Sequence, residues 1–264
     1  MKQHSLPRIC LTALAVLAAL TACNHGLSTS TVSNEGEVPL QEGSEVGYTY
    51  EYSVSYLTGG LPQEVIDRVN GAIIRDHILF TDEITTSDVR EACKDWEETS
   101  INGYLGDAGE MLDEFDAEDS FMFAWDSKLR GYFLPYQKQR KLLTYCCESS
   151  EYMGGAHGLY AESYTVFDTR TGEVVTEEDL FGPGYDEEAL KELMEDALLG
   201  NSDYQDEEDW DPADAFFGAP YPNGNFSVDA DGITWYFNPY DIAPYALGVI
   251  AVPLSWKQLA PFLK

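Results

Sequence analysis

The run Tyr48-Thr49-Tyr50-Glu51-Tyr52-Ser53-Val54-Ser55-Tyr56 restricts the fold more than any other stretch of this chain. A ring or a valine occupies every second position, so an extended strand here has one apolar and one polar face. Such a strand needs a sheet beside it and a layer over its rings. Gly59-Gly60 end it, and Pro62 opens a helix to about Phe80 with Val65, Ile66, Val69, Ala72 and Ile73 on one stripe. His77, near the end of that helix, reads as a structural residue whose positive imidazole suits the helix dipole. Aromatic residues are 13% of the chain, which excludes disorder because so many rings require a core.

Asp88 followed by Glu91 resembles a cap for a second helix, along which Val89, Ala92, Cys93 and Trp96 recur at helical spacing. Strand patterns follow at Ser120 to Trp125, Gly131 to Leu134, Leu142 to Glu148, Glu162 to Asp168 and Glu173 to Thr176. A helix is predicted from about Asp186 to Leu199, stopped by Gly200, and a hairpin turns at Asp229-Ala230-Asp231-Gly232. Val249 to Leu254 reads as a strand and Ser255 to Leu263 as a short closing helix. Runs of adjacent strands interrupted by single helices exclude regular βαβ alternation. The expectation is an α+β chain with two small antiparallel sheets, each carrying one or two helices on one face. The domains would be 48–149 and 150–264, meeting near Ser149.

The N-terminus reads as an address. Lys2 and Arg8 precede an uncharged apolar run of twelve residues, Ile9 to Leu20, short of the roughly 20 that a membrane span requires. A secretory signal fits. Its end, Leu20-Thr21-Ala22-Cys23, resembles the bacterial lipobox, in which the cysteine is acylated and becomes the mature N-terminus. Residues 1–22 are thus expected to be a lipoprotein signal peptide, with Cys23 as the lipidation site. Residues 23–47 are rich in Ser, Thr, Glu and Gly and read as a flexible tether. The expected location is the cell envelope, with the body outside the cytoplasm.

The formal charge is −32, and loss of the first 22 residues leaves 13 bases against 47 acids, a net −34. That field repels nucleic acid and anionic lipid and favours basic proteins or cations. The acidic runs Glu110 to Asp119 and Asp203 to Asp214 lack the ligand spacing of a calcium loop and read as solvated. Lys138, Arg140 and Lys141 are a compact basic cluster, read as a local set of salt-bridge donors. Cys93, Cys146 and Cys147 either stay as buried free thiols, or one of the neighbours pairs with Cys93. No CxxC motif occurs, and neither metal nor cofactor is expected.

Two segments stand out as recognition elements. Tyr152-Met153-Gly154-Gly155-Ala156-His157-Gly158 presents a histidine among small neighbours on a loop between strands. Paired glycines let its backbone take positive φ and lie close to another surface. The alternative is a tight turn whose histidine caps a backbone group. In Asn238-Pro239-Tyr240-Asp241-Ile242-Ala243-Pro244-Tyr245, Pro239 and Pro244 stiffen the chain and pre-organise Tyr240 and Tyr245 for contact. The competing view makes Ile242 and Tyr245 core. The candidate binding residues are Tyr152, Gly154, Gly155, His157, Pro239, Tyr240, Pro244 and Tyr245.

The order Gly-Gly-Ala-His, a strand ending Phe167-Asp168-x-x-Thr171-Gly172-Glu173, then Asp179-Leu180-Phe181, a helix, and Phe237-x-Pro-Tyr-x-Ile-Ala-Pro-Tyr-Ala-x-Gly248 resembles a bacterial extracytoplasmic domain pair. It is similar to the outer part of an RsiV-like anti-sigma factor that is a lysozyme receptor, to domains beside peptidoglycan deacetylases, and to single lipoproteins without assigned role. The resemblance covers about Tyr48 to Lys264 and is specific in the second half. It implies a binding surface for a lysozyme-type muramidase. The sigma-binding segment and the deacetylase domain have no counterpart in this sequence, so their activities do not carry over.

A histidine-based hydrolase is disfavoured. Only His77 and His157 fall in the folded body, and neither Gly-x-Ser-x-Gly nor His-Glu-x-x-His occurs. A carboxylate-based glycan hydrolase needs one specific pair, which 47 acids do not single out. The expectation is a non-catalytic binding protein for a basic lysozyme-type protein. The alternatives are a peptidoglycan or glycan binder, or a structural accessory lipoprotein.

Overall fold

Tyr48, Tyr50, Tyr52 and Val54 turn to one face of their strand and are buried there, as the alternation requires. The computed structural model describes residues 23–24, 26–41, 44, 46–111, 122–200 and 216–264. The signal segment 1–22, most of the first acidic run (112–119) and all of the second (203–214) lie outside the described residues, as do Ser120 and Phe121.

Six strands form the large sheet in chain order: β1 (Cys23–Asn24), β2 (Leu27–Pro39), β3 (Gly47–Gly59), β4 (Trp125–Phe133), β5 (Leu142–Tyr152) and β6 (Leu159–Asp168). All neighbours are antiparallel except β3 and β4, which run parallel. That pair needs a crossover. It contains α1 (Gln63–Ile73), extended by a π-helical turn to Ile78, and α2 (Val89–Met111). Val65, Ile66, Val69 and Ile73 of α1 pack with Tyr52, Val54, Leu129 and Tyr145 of the sheet. A second cluster places Tyr104 and Ala108 of α2 against Tyr48, Tyr50 and Trp125. Asp88 caps α2 through its carboxylate, which accepts the Arg90 N–H at 2.9 Å.

The second sheet is antiparallel, in the order β7 (Phe226–Val228), β8 (Gly232–Phe237) and β9 (Ile250–Ser255). It packs with α3 (Glu177–Phe181), α4 (Glu187–Leu199) and α5 (Trp256–Leu259) around Trp235 and Leu190. The buried Glu177 carboxylate fixes this layer, accepting Trp235 Nε1–H at 3.1 Å and Gly224 N–H at 2.9 Å. Two asparagines join the sheets. Asn225 Oδ1 accepts from Tyr164 N and Asn238 Oδ1 from Glu162 N, at 2.7 and 2.8 Å. They occupy the outer edge of β6, which would otherwise offer unpaired backbone groups.

The expected α+β class with two sheets and helices on a face is what the chain adopts, except that the larger sheet is mixed and not antiparallel, and four further expectations need correction. Leu27–Pro39, within the supposed tether 23–47, is a full strand paired along its length with β3. The boundary near Ser149 falls inside β5, where Ser149 pairs with Ala161 of β6, so 48–149 and 150–264 share one sheet. The strand predicted at Glu173 to Thr176 reduces to one bridge, Phe167 with Val174, before α3. His77 is not a positive helix-end residue. It is 2% exposed, hydrogen-bonds Ser163 Oγ and Thr165 Oγ1 at 3.0 and 2.9 Å, and has its pKa pushed down to about 4 by burial. Cys93, Cys146 and Cys147 are free and buried, and burial raises the pKa of all three thiols.

Candidate functional site

β5 and β6 are joined at one end of the large sheet by the glycine loop. Gly154 has φ 82°, and a Cβ there would lie 2.8 Å from the Met122 carbonyl oxygen, so only glycine fits against that backbone. Tyr152 is half-buried, and its hydroxyl donates to the Gly155 carbonyl at 2.9 Å. It braces the loop instead of presenting a ring. Gly155, Ala156 and His157 are exposed, and His157 Nδ1 lies 2.9 Å from the Gly158 carbonyl oxygen.

The second segment folds over this loop. Asn238, Pro239, Tyr240 and Asp241 make a turn closed by Asp241 N–H donating to the Asn238 carbonyl at 2.9 Å. The Asp241 carboxylate accepts Asn238 N–H at 2.7 Å, and Tyr240 N–H donates to the Ala243 carbonyl at 3.0 Å. Tyr240 sits at φ 76°, a position that a turn opened by proline normally gives to glycine. Its ring is 52% exposed. Ile242 and Ala243 point into the core beside it, as the competing view held for Ile242. Pro244 leads into a 3-10 turn, Tyr245–Leu247.

The two segments meet. The His157 ring stacks on Tyr245 with centroids 4.1 Å apart and planes 21° from parallel. Tyr240 lies 5.9 Å from Tyr245, and its hydroxyl reaches to 3.5 Å from His157 Nε2. Seven of the eight candidate residues therefore line or brace one aromatic ledge, with Pro244 exposed at its border. Tyr160 was missed as a candidate. It packs edge-on to Tyr245 at 5.8 Å, and its hydroxyl would clash with any Cβ at Gly248. Burial, with Tyr245 and Glu162 nearby, raises its pKa. The available signal was its place, two residues beyond Gly158.

Two grooves border the ledge. One, of about 450 Å³, is lined by Phe80, Trp96, Leu129, Leu159 and Pro239, with serines 100, 127 and 149 between the apolar side chains. The other, of about 510 Å³ on the opposite face, runs past Tyr160, Glu162, Lys128 and Arg130. Among the described residues no group of three or more His, Cys, Asp or Glu side chains is placed to hold a metal ion. Nor is any helix among them long and apolar enough to cross a membrane.

These features define an α+β protein with a partly exposed aromatic ledge at one end of a mixed sheet. Residues 178–257 match the model of a family described as a protein of unknown function, DUF3298. The crystal structure of a DUF3298 member from Bacteroides fragilis is similar over 90% of this chain and 94% of that one, with a TM-score of 0.77 and 23% identity. A DUF3298 family protein from Pseudomonas aeruginosa has the same coverage, a TM-score of 0.60 and 19% identity. At those identities the likeness concerns the fold. No curated protein matches the chain.

Proposed function

We propose that this protein is a non-catalytic binding protein of the bacterial cell envelope, anchored through an acylated Cys23, that recognises a basic lysozyme-type muramidase with the aromatic ledge. The observation that carries this is Tyr240. A large side chain at positive φ costs roughly 1–3 kcal/mol, and such strain persists chiefly where function uses it. Here it holds an exposed ring beside His157 and Tyr245. Rigid amphipathic rings of this kind give contact area at little entropic cost. The net charge of −34 left after loss of the first 22 residues would steer a basic partner toward the surface. The binding reading also accords with His77, which is sealed in the core and satisfied by two hydroxyls.

A pull-down of envelope extract and host secretions with the body, washed at low and high salt, tests this. A muramidase retained at low salt and released at high salt is the expected result. No interaction with lysozyme-type enzymes at low salt sinks the muramidase reading. A glycan ligand is the second reading, favoured by the groove in which Trp96 and Phe80 flank serine side chains. Binding to it would be insensitive to salt.

A further inference from the structure

The strand register fixes which features share an end of the large sheet. Ser28 pairs with both Cys23 and Gly59. Val54 pairs with Gly131, Gly131 with Cys147, and Cys147 with Ser163. Counting along the strands from that row puts Gly59, Leu142 and Asp168 at one level. Cys23 is therefore at the end where the β4–β5 turn and the turn after β6 project. The glycine loop and its ledge are at the other end of β5, 11 residues long and so roughly 33 Å away.

The Cys23 end is also where bases gather. Lys138, Arg140 and Lys141 are exposed on the β4–β5 turn. Among the described residues none of the three has a carboxylate within salt-bridge distance, contrary to the expectation of a donor set. Arg140 instead lies over the Trp256 ring, 3.4 Å from its centroid. Arg140, Arg170, Trp256 and Lys264 line a recess of about 630 Å³ beside this turn. Two nearby acids are paired with bases, Asp168 with Arg170 and Glu173 with Arg68. The Asp179 carboxylate accepts from Thr176, and Asp229 accepts the N–H groups of Asp231 and Gly232.

We propose that this end of the sheet rests on an anionic lipid surface, gripped by Lys138, Arg140 and Lys141, so that the aromatic ledge faces away from the membrane. The inference rests on the reading of Cys23 as the anchored residue. A body with so large a negative charge is repelled by anionic headgroups wherever its acids approach them. Screening limits that repulsion to about 10 Å, so the face nearest the membrane decides the orientation. The unpaired bases are on the face that an anchor at Cys23 brings down. The recess between Arg140 and Lys264 has room for a phosphate headgroup.

The test supplies the anchor artificially. On the reading of Cys23 as the anchored residue, the mature chain begins there. The chain from there, with Cys23→Ser and an N-terminal hexahistidine tag, is bound to vesicles holding a nickel-chelating lipid. A fluorophore is placed on Gln139→Cys or Met153→Cys, the native thiols being buried, and quenched by spin-labelled lipid. Stronger quenching at 139 than at 153, present with phosphatidylglycerol and absent in phosphatidylcholine alone, is expected. Lys138→Gln and Lys141→Gln should each reduce the preference for the anionic surface about fivefold. Equal quenching at the two positions, or no dependence on anionic lipid, overturns the proposal. Whether Cys23 is acylated in cells is read separately, so the two ideas fail independently.

Discussion

His157 and Tyr245 lie face to face, 4.1 Å between ring centroids, although one belongs to the loop before β6 and the other to the turn before β9. The stack makes one surface of two distant segments. Replacing both His157 and Tyr240 by Ala removes the two exposed rings of that surface. The expected result is a loss of about 2–4 kcal/mol in partner affinity, as for central interface residues. The melting temperature should move little, because neither ring is in the core. Calorimetric titration of the captured partner, with thermal melts of both proteins, checks this.

Tyr240→Gly separates strain from binding. Glycine takes φ 76° without steric cost, so the substitution should raise folding stability by about 1 kcal/mol while it weakens binding. Denaturant midpoints and affinities measured on the same preparations give both numbers. A destabilised Tyr240→Gly protein would mean that the ring is held by packing and that the turn carries no strain.

His77 predicts an acid-sensitive fold. Its pKa is about 4 in the folded protein against 6.5 ordinarily, and burial is the chief cause. Between those values the unfolded chain takes up a proton that the folded chain refuses. Stability therefore falls as pH drops from about 6.5 to about 4, and this contribution levels off below. The full loss is roughly 3 kcal/mol. His77→Gln, which keeps polar atoms near Ser163 and Thr165, should show a shallower decline over that window in urea titrations.

Cys23→Ala should release the protein from the membrane fraction into the soluble fraction of the envelope. Detergent phase partitioning reads this directly, and mass analysis of the mature N-terminus reads the acyl group. Unchanged partitioning, or an intact signal segment in the mature chain, excludes Cys23 as the anchor.

Legibility in the sequence followed side-chain chemistry. Tyr48 to Tyr56 declared its strand because one face had to be covered, and α4 and the β7–β8 turn were equally plain. Leu27–Pro39 escaped because only Leu27, Val32 and Val38 along it are apolar and buried, while pairing with β3 uses backbone groups that any residue supplies. The boundary at Ser149 failed for a related reason: small polar residues at Ser149 and Ser150 look like a break but sit in a continuous ladder. Both halves of the ledge were visible as glycine and proline punctuation. The two were expected to act together, but the contacts that join them were not legible, since these depend on the Asn225 and Asn238 side chains docking the small sheet onto the edge of β6. The structural role of His77 was legible but its neutral state was not, because the partners that hold it in the core, Ser163 and Thr165, are distant in sequence.

The end-to-end separation of Cys23 and the glycine loop has a mechanical consequence. A pull between those two points runs mostly along β2 through β6, with a smaller component across them because Cys23 is on the edge strand β1, so the backbone hydrogen bonds of the large sheet would be loaded largely sideways and together. Peeling them one at a time requires a force mainly across the strands. A partner tugging at the ledge would thus meet the sheet in its stiffest direction, and the contact at the ledge would give way before the fold does.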